Sequence, residues 1–498
     1  MRLACQLALL LSLVISGRAF AADSPRPDIL LIMPDQMRGD CLSAVGHPTV
    51  RTPQLDALAR QGALFRRAYS TVPSCIPARF VLLTGLFPDT SGVVGFKGKP
   101  IAYPTMPGLL HKAGYATPLV GRTMHQVVSD EQCGYDRCIA GSTYIAGDDY
   151  DTYLRAAAPE CGGIRKLVVN SGLTFNGWEA APWPLADELH PTAWTVRQAR
   201  AAISAAPVRQ PLFLTVSFYA PHSPLFPPKK YFDACLRGKL PLPARGDWVA
   251  WKSLPSSKSG KELHRVRLEG EALRRAQAGY FGQIEQIDEQ IASLIAEFRA
   301  RSEKAGRPWL IVFTSDHGEM LGDHGYYRKC EPYEGAANIP FIVAGSPQLG
   351  FHAGLRPMQP VCLEDILPTL LELAGAAKPK LMDGASLVPA LRGEDRPVRA
   401  VLHSEHAPCY GKEQAFQALT DGHWKYIWRP DNGREQLFDL DKDPREEHDL
   451  ASDPSQATNV KRWRERLIQR LAGRPEGFTD GTRLIPGRPY PPLQAGKP

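Results

Sequence analysis

The sequence predicts an α/β fold: a large α/β/α domain with a mostly parallel central sheet, then a smaller C-terminal α+β domain with an antiparallel sheet. Three observations predict it. Short apolar runs without polar alternation recur along the chain, as strands buried on both faces of a parallel sheet require. Segments of helical period lie between them. Beyond about residue 392 the pattern changes to alternating strands around a tight turn. The chain has 498 residues, 43% hydrophobic and 22% charged, which permits a sizeable core.

The elements follow in order. "MRLACQLALLLSLVISGRAFAADSP" has a basic start, an apolar run and an Ala-Phe-Ala ending. That is the layout of a secretory signal peptide over residues 1–22, and the run is too short to span a bilayer. An exported protein, periplasmic or secreted, is expected, with no transmembrane segment. The α/β domain is read over residues 23–392. "PDILLIMPDQ" gives a buried strand over Ile29–Met33. Gln54 to Gly62 and Met106 to Gly114 read as short amphipathic helices stopped by glycine, the second leading into the strand "ATPLVG". Leu212 to Tyr219 is a strand, Glu271 to Arg299 a long helix, Trp309 to Thr314 a buried strand and "IPFIVAG" another. "LEDILPTLLELAG" is a helix ending at Gly375. Residues 140–190 and 235–265 carry no clear period and read as long loops of the kind that shape substrate sites. In residues 393–498, "PDNG" sits between two alternating runs as a hairpin turn, "VKRWRERLIQRLA" is an amphipathic helix, and the Pro/Gly-rich tail from Gly473 is expected to wrap the surface.

Of ten cysteines, Cys5 falls in the leader, and the odd remainder implies an unpaired thiol. Cys133 and Cys138 are the nearest local pair for a disulfide; a reduced set is the alternative. The formal charge of +7 is a mild excess that suits an anionic substrate and calls for no nucleic acid.

In open α/β sheets ligands bind beyond the carboxyl ends of strands. Three strands here end in suitable groups: Asp35-Gln36, Asp316-His317 and Pro221-His222. Two aspartates with an amide and an imidazole can hold a divalent cation. Cys75 opens a helix with Pro77 in its first turn, where unpaired N–H groups favour an anion. Arg79 lies one turn on and adds charge.

"CIPAR", followed by "LTG", resembles the signature of the type I sulfatases of the alkaline phosphatase superfamily. So do "RPDILLIMPDQMRGD", "GYATPLVGRTMH", "FYAPHSP", "FTSDHGEMLGDHGYYRK", "DILPTLLELAG" and "HWKYI…QLFDLDKDPREEHDLA", in order from about residue 26 to 452. The resemblance implies a sulfuric ester hydrolase. Its cysteine is oxidised before folding, by a formylglycine-generating maturation enzyme, to formylglycine, whose hydrate is the nucleophile. It implies a metal held by Asp35, Asp316, His317 and the Cys75 hydrate, with Gln36 where many members have a second aspartate. Calcium is the usual ion, with manganese or magnesium as alternatives. Arg79 would hold the hydrate, and His125 would be the base that releases sulfate. Arg122, Lys329 and His222 would surround the sulfate, with His222 able to protonate the leaving oxygen. The implied substrate is a sulfated small molecule or glycan; the oligomeric state is not readable.

Two features depart from that pattern. Gln36 and His317 replace aspartate and asparagine, a combination that also resembles the superfamily's phosphonate monoester and phosphodiester hydrolases. "GRTMH" puts Arg122 in place of lysine, with one extra residue before His125. His324 reads as structural. His403 and His406 read either as reaching the pocket rim or as solvated. Trp424, Tyr426 and Trp428 read as packing the small sheet.

Overall fold

The computed structural model describes residues 25–256, 263–394 and 396–496; the leader read at residues 1–22 lies outside them. In chain order the strands are β1 (Asp28–Asp35), β2 (Ala63–Leu64), β3 (Ala68–Tyr69), β4 (Pro118–Gly121), β5 (Arg137–Ala140), β6 (Phe213–Pro221), β7 (Trp309–Thr314), β8 (Phe341–Gly345), β9 (Val361–Cys362), β10 (Leu402–His406), β11 (Phe416–Thr420), β12 (Trp424–Trp428) and β13 (Glu435–Asp439). Seven form the central sheet in the order β2-β8-β7-β1-β6-β4-β5, four form the small sheet β10-β11-β12-β13, and β3 pairs with β9. β1 is parallel to both its neighbours, β6 and β7. β4 and β5 continue parallel, while at the other edge β8 runs antiparallel to β7 and β2 antiparallel to β8.

Between its terminal aspartates β1 is apolar because both faces of the sheet are covered. Leu30 and Ile32 face Ile284, Ile287 and Ile291 of the helix Gly270–Lys304. Ile29, Leu31 and Met33 face the opposite layer, with Val81 and Leu82. The alternation is the two-residue period of a strand. Each such buried aliphatic side chain contributes about 1.5–3 kcal/mol. Val81 and Leu82 belong to helix α2 (Cys75–Thr84), which follows α1 (Pro53–Gln61). α2 ends at Gly85, whose φ of 67° lets its N–H close onto Val81 O.

Three expectations need correction. The long helix extends past Arg299 to Lys304, because its last turns make tertiary bonds: Arg301 and the Ser302 hydroxyl both reach Asp28 at the start of β1. Residues 140–190 are not simply loop. They contain helices Asp149–Ala157 and Ile164–Asn170, the first capped by the Asp148 side chain, around a core that includes Tyr150, Trp183 and Trp194. The expected Cys133–Cys138 disulfide is absent, and all nine described cysteines are free. Cys133 is buried in the core with Met106 and Leu110, and Cys138, opposite Leu119 in the β4–β5 ladder, is partly buried against the same cluster. In 235–265 the described residues hold only the end of the helix Lys229–Arg237 and a short 3₁₀ turn at Trp251–Ser253.

The small sheet packs Tyr426, Trp428 and Leu437 against Trp463 and Leu467 of the helix Ala457–Leu471, and the partly buried Trp424 packs against the same cluster, as the strand spacing implied for all three aromatic residues. The tail returns to the large domain: Leu493 bridges Val93, and the Gln494 N–H donates to Gly92 O at 2.8 Å.

Candidate active site

The carboxyl ends of β1, β6 and β7 lie side by side at the middle of the sheet, and each delivers a polar group. β1 ends on Asp35, and Gln36 follows with a left-handed φ of 69°. That turn aims its N–H at Asp316 Oδ1, 3.0 Å away. Asp316 and His317 follow β7, and His222 follows β6. The first turn of α2 brings Cys75 and Arg79 over this edge.

Arg79 is wholly buried and forks between the two strands, with Nη2 to Asp35 at 2.9 Å and Nε to Asp316 at 2.9 Å. Its other bonds go to Thr123 O and Ser217 Oγ. Arg79 thus clamps the two carboxylates rather than touching the Cys75 sulfur. Arg122 Nε makes a second ion pair to Asp35 at 2.7 Å. Its guanidinium lies over Tyr219, 4.7 Å from the ring centre, with Tyr144 at 5.5 Å. Arg122 Nη1 is buried without a partner.

Cys75 Sγ is the focus. Lys329 Nζ lies 3.0 Å from it, His317 Nε2 3.2 Å and Asp35 Oδ1 3.8 Å. Lys329 also donates to Gln36 Oε1 at 3.0 Å and to His222 Nε2 at 3.1 Å. Nδ1 of His317 and of His222 each sit on a carbonyl, Gly318 O and Ser223 O. Those bonds place the ring proton on Nδ1 and turn Nε2 into the site. His125, at a left-handed φ of 58°, has Nδ1 3.4 Å from Arg122 Nη2, and Phe96 stands against its ring.

The electrostatics follow from three buried cations facing two carboxylates. Burial pushes the Cys75 thiol up, as does Asp35, but Lys329 and His317 outweigh them and bring it down to about 5. Burial also opposes the charge on Asp35, yet Arg122, Arg79 and Lys329 hold it below the usual carboxylate range. His222 is driven well below its ordinary value by burial, then by Lys329 and Arg122, so it is a neutral acceptor here.

One ligand atom each from Asp35, Cys75, Asp316 and His317 lies within 4.8 Å of all the others. Asp35 Oδ2 is engaged by arginines while Oδ1 faces Cys75, and Gln36 Oε1 points the same way. The set is two carboxylate oxygens, one imidazole nitrogen and the Cys75 sulfur; with an oxygen in place of that sulfur it suits a hard divalent cation.

Some neighbours carried no signal strong enough to find. Glu319 accepts from Gln36 Nε2 and, through its other oxygen, from Leu321 N and Arg328 N, so it shapes the turn carrying Lys329. Its only hint was its place two residues beyond Asp316-His317. His324 is structural, accepting from Gly246 N at 3.1 Å beside Trp248 and Tyr333. His403 bonds Gln417 inside the small domain. His406 is neither solvated nor at the rim: it is buried against Ser74.

Comparison with known proteins places the chain. The sulfatase family model matches residues 27–376, and the model described as "N-sulphoglucosamine sulphohydrolase, C-terminal" matches residues 322–472. An arylsulfatase of Clostridium perfringens is 35% identical over 489 residues, 94% of this chain and 99% of that one. A choline-sulfatase of Rhizobium meliloti is 30% identical over 448 residues, 86% of this chain and 83% of that one. Among solved structures, the phosphonate monoester hydrolase of Agrobacterium radiobacter superposes with a TM-score of 0.76 at 25% identity, covering 89% of this chain and 95% of that one.

Proposed function

The chain belongs to the type I sulfatases of the alkaline phosphatase superfamily, and we propose that it hydrolyses sulfate monoesters, sulfated glycans among them, at Cys75. The observation that carries this reading is the convergence of Lys329, His317 and Asp35 on one buried sulfur at the head of α2, beside two carboxylates clamped by Arg79. We read Cys75 as a formylglycine precursor, oxidised by a dedicated maturation enzyme; its Sγ stands where an oxygen of the aldehyde hydrate would be. Such a gem-diol supplies one hydroxyl to attack and a second whose deprotonation expels sulfate, an exit a serine ester lacks.

Asp35, Gln36, Asp316 and His317 would hold the cation, calcium first, with manganese or magnesium as alternatives. When bound, it adds positive charge beside the reacting group. The rest falls to side chains. Lys329 and Arg122 neutralise the sulfate, and the unpartnered Arg122 Nη1 offers it a donor. His125 would take the hydrate proton. His222 starts neutral, and an anion entering beside it raises its affinity for a proton, which it then gives to the leaving oxygen. The leader-like N-terminus supports an exported enzyme.

A second reading, hydrolysis of phosphonate monoesters or phosphodiesters, is favoured by Gln36 and His317 in the ligand set and by the phosphonate hydrolase likeness. One panel separates the two: kcat/KM on sulfated mono- and disaccharides and an aryl sulfate, against matched phosphonate and phosphodiester substrates. A preference of tenfold or more for the phosphorus esters rejects the sulfatase reading in favour of the second.

A further inference from the structure

The turn before Cys75 is anchored from the far end of the chain. Ser74 occupies the position preceding α2, where a serine hydroxyl ordinarily accepts a bond from the second or third helical N–H. It makes no such bond. The third helical residue is Pro77, which has no N–H. Ser74 Oγ instead lies 2.7 Å from His406 Nε2, 332 residues away, with both side chains fully buried.

His406 ends β10 in the small sheet. Its Nδ1 meets the Ala407 carbonyl at 2.5 Å, a contact that requires the proton on Nδ1. Nε2 is therefore the acceptor, and the Ser74 hydroxyl donates. A second tie lies beside it: the Glu405 N–H donates to Thr71 O at 2.8 Å. The end of β10 thus grips residues 71–74 at both ends.

We propose that His406 is a positioning residue for the nucleophile: by taking the Ser74 hydroxyl it fixes the backbone entering α2 and leaves the first helical N–H groups uncapped at the catalytic group. A serine that turned back to cap the helix would spend its oxygen on those donors. Held by His406, it leaves the positive end of α2 open toward an anion. The inference rests on the sulfatase reading, since it concerns the same nucleophile.

The test uses the full-length chain and a sulfate ester that the wild type turns over. Ser74→Ala, Ser74→Thr, His406→Phe and the double variant Ser74→Ala/His406→Phe are compared, with kcat expressed per formylglycine measured by mass spectrometry. Ser74→Ala and His406→Phe should each lose about 10- to 100-fold in kcat with KM little changed. The double variant should be no worse than the worse single one, and Ser74→Thr, which keeps the hydroxyl, should recover most of the rate. Unchanged kcat per converted site, losses that multiply in the double variant, or a loss confined to KM overturns the proposal. Should His406→Phe fail to fold, Ser74→Ala against Ser74→Thr decides, and equal rates overturn it. A fully active wild type whose Ser74 variants keep its kcat separates failure of this inference from failure of the sulfatase reading, which a wild type inactive on every sulfate ester would overturn together with it.

Discussion

Replacing Arg79 by alanine removes the clamp between β1 and β7. Both ion pairs measure 2.9 Å and all three side chains are fully buried. With charge centres about 4 Å apart and an effective dielectric near 20, each pair carries about 4 kcal/mol of attraction. Asp35 keeps Arg122, but Asp316 is left with the N–H groups of Gln36 and His317 and the His317 ring at 3.8 Å, with no guanidinium. Breaking a buried pair from one side typically costs about 3–5 kcal/mol, and we expect that loss for Arg79→Ala in metal-free protein. Arg79→Lys should cost less but not be silent, because one ammonium cannot span two carboxylates as a fork does. A bound divalent cation at the same carboxylates supplies the missing charge, so the loss should shrink markedly in saturating calcium. The assay is urea denaturation of wild type and both variants, with chelator and with calcium. A loss below about 1 kcal/mol in chelator, the scale of an exposed pair, refutes the clamp. An identical loss with and without calcium refutes the shared ligand site.

Tryptic digestion should release Ala68 to Arg79 with its mass lowered by exchange of a thiol for an aldehyde, and fully active protein with wholly unmodified Cys75 would rule that conversion out. His222→Ala should depress kcat/KM on sugar sulfates by about 10²–10⁴-fold but far less on an aryl sulfate, whose phenolate needs no proton; equal losses leave His222 a binding residue only. In the small domain, burial resists the charge on Glu405, but Arg474, at 2.8 and 2.7 Å, brings its carboxyl down to about 2. A depressed carboxyl stabilises fully above its unfolded value of about 4.3 and loses that contribution as pH falls toward 2, about 3 kcal/mol in all. The denaturation midpoint should therefore drop between about pH 5 and pH 2, and Arg474→Ala should flatten that part of the profile; an unchanged slope contradicts the assignment.

The residues legible in the sequence were those whose position is fixed locally. Asp35, Asp316 and His222 stand where buried apolar runs stop, and a parallel sheet brings such stops to one edge. Cys75 and Arg79 sit one helical turn apart, so reading the helix places both. Partners set by tertiary distance were not legible. Nothing near Arg122 in sequence shows that Tyr219 and Tyr144 will bracket it, and Glu319 differs from any loop glutamate only by its fold. The helices in 140–190 were missed although Asp148 is an ordinary cap, because their apolar residues face a satellite core completed by side chains that follow them in sequence, such as Trp183, Trp194 and Phe226. The Cys133–Cys138 expectation failed because closeness in sequence does not by itself give two cysteines the geometry a disulfide needs.

The burial of Cys75, at 1% exposure, sets a timetable. Any protein that modifies this residue must reach it before α2 docks on the sheet and β10 closes over the turn at Ser74. β10 is made more than 300 residues later. At about 5–20 residues per second, the ribosome gives roughly 15–60 s in which the segment exists without the strand that seals it. Shortening that interval, by faster translation or by a circular permutation that places β10 ahead of α2, should lower the modified fraction without touching a single residue of the site.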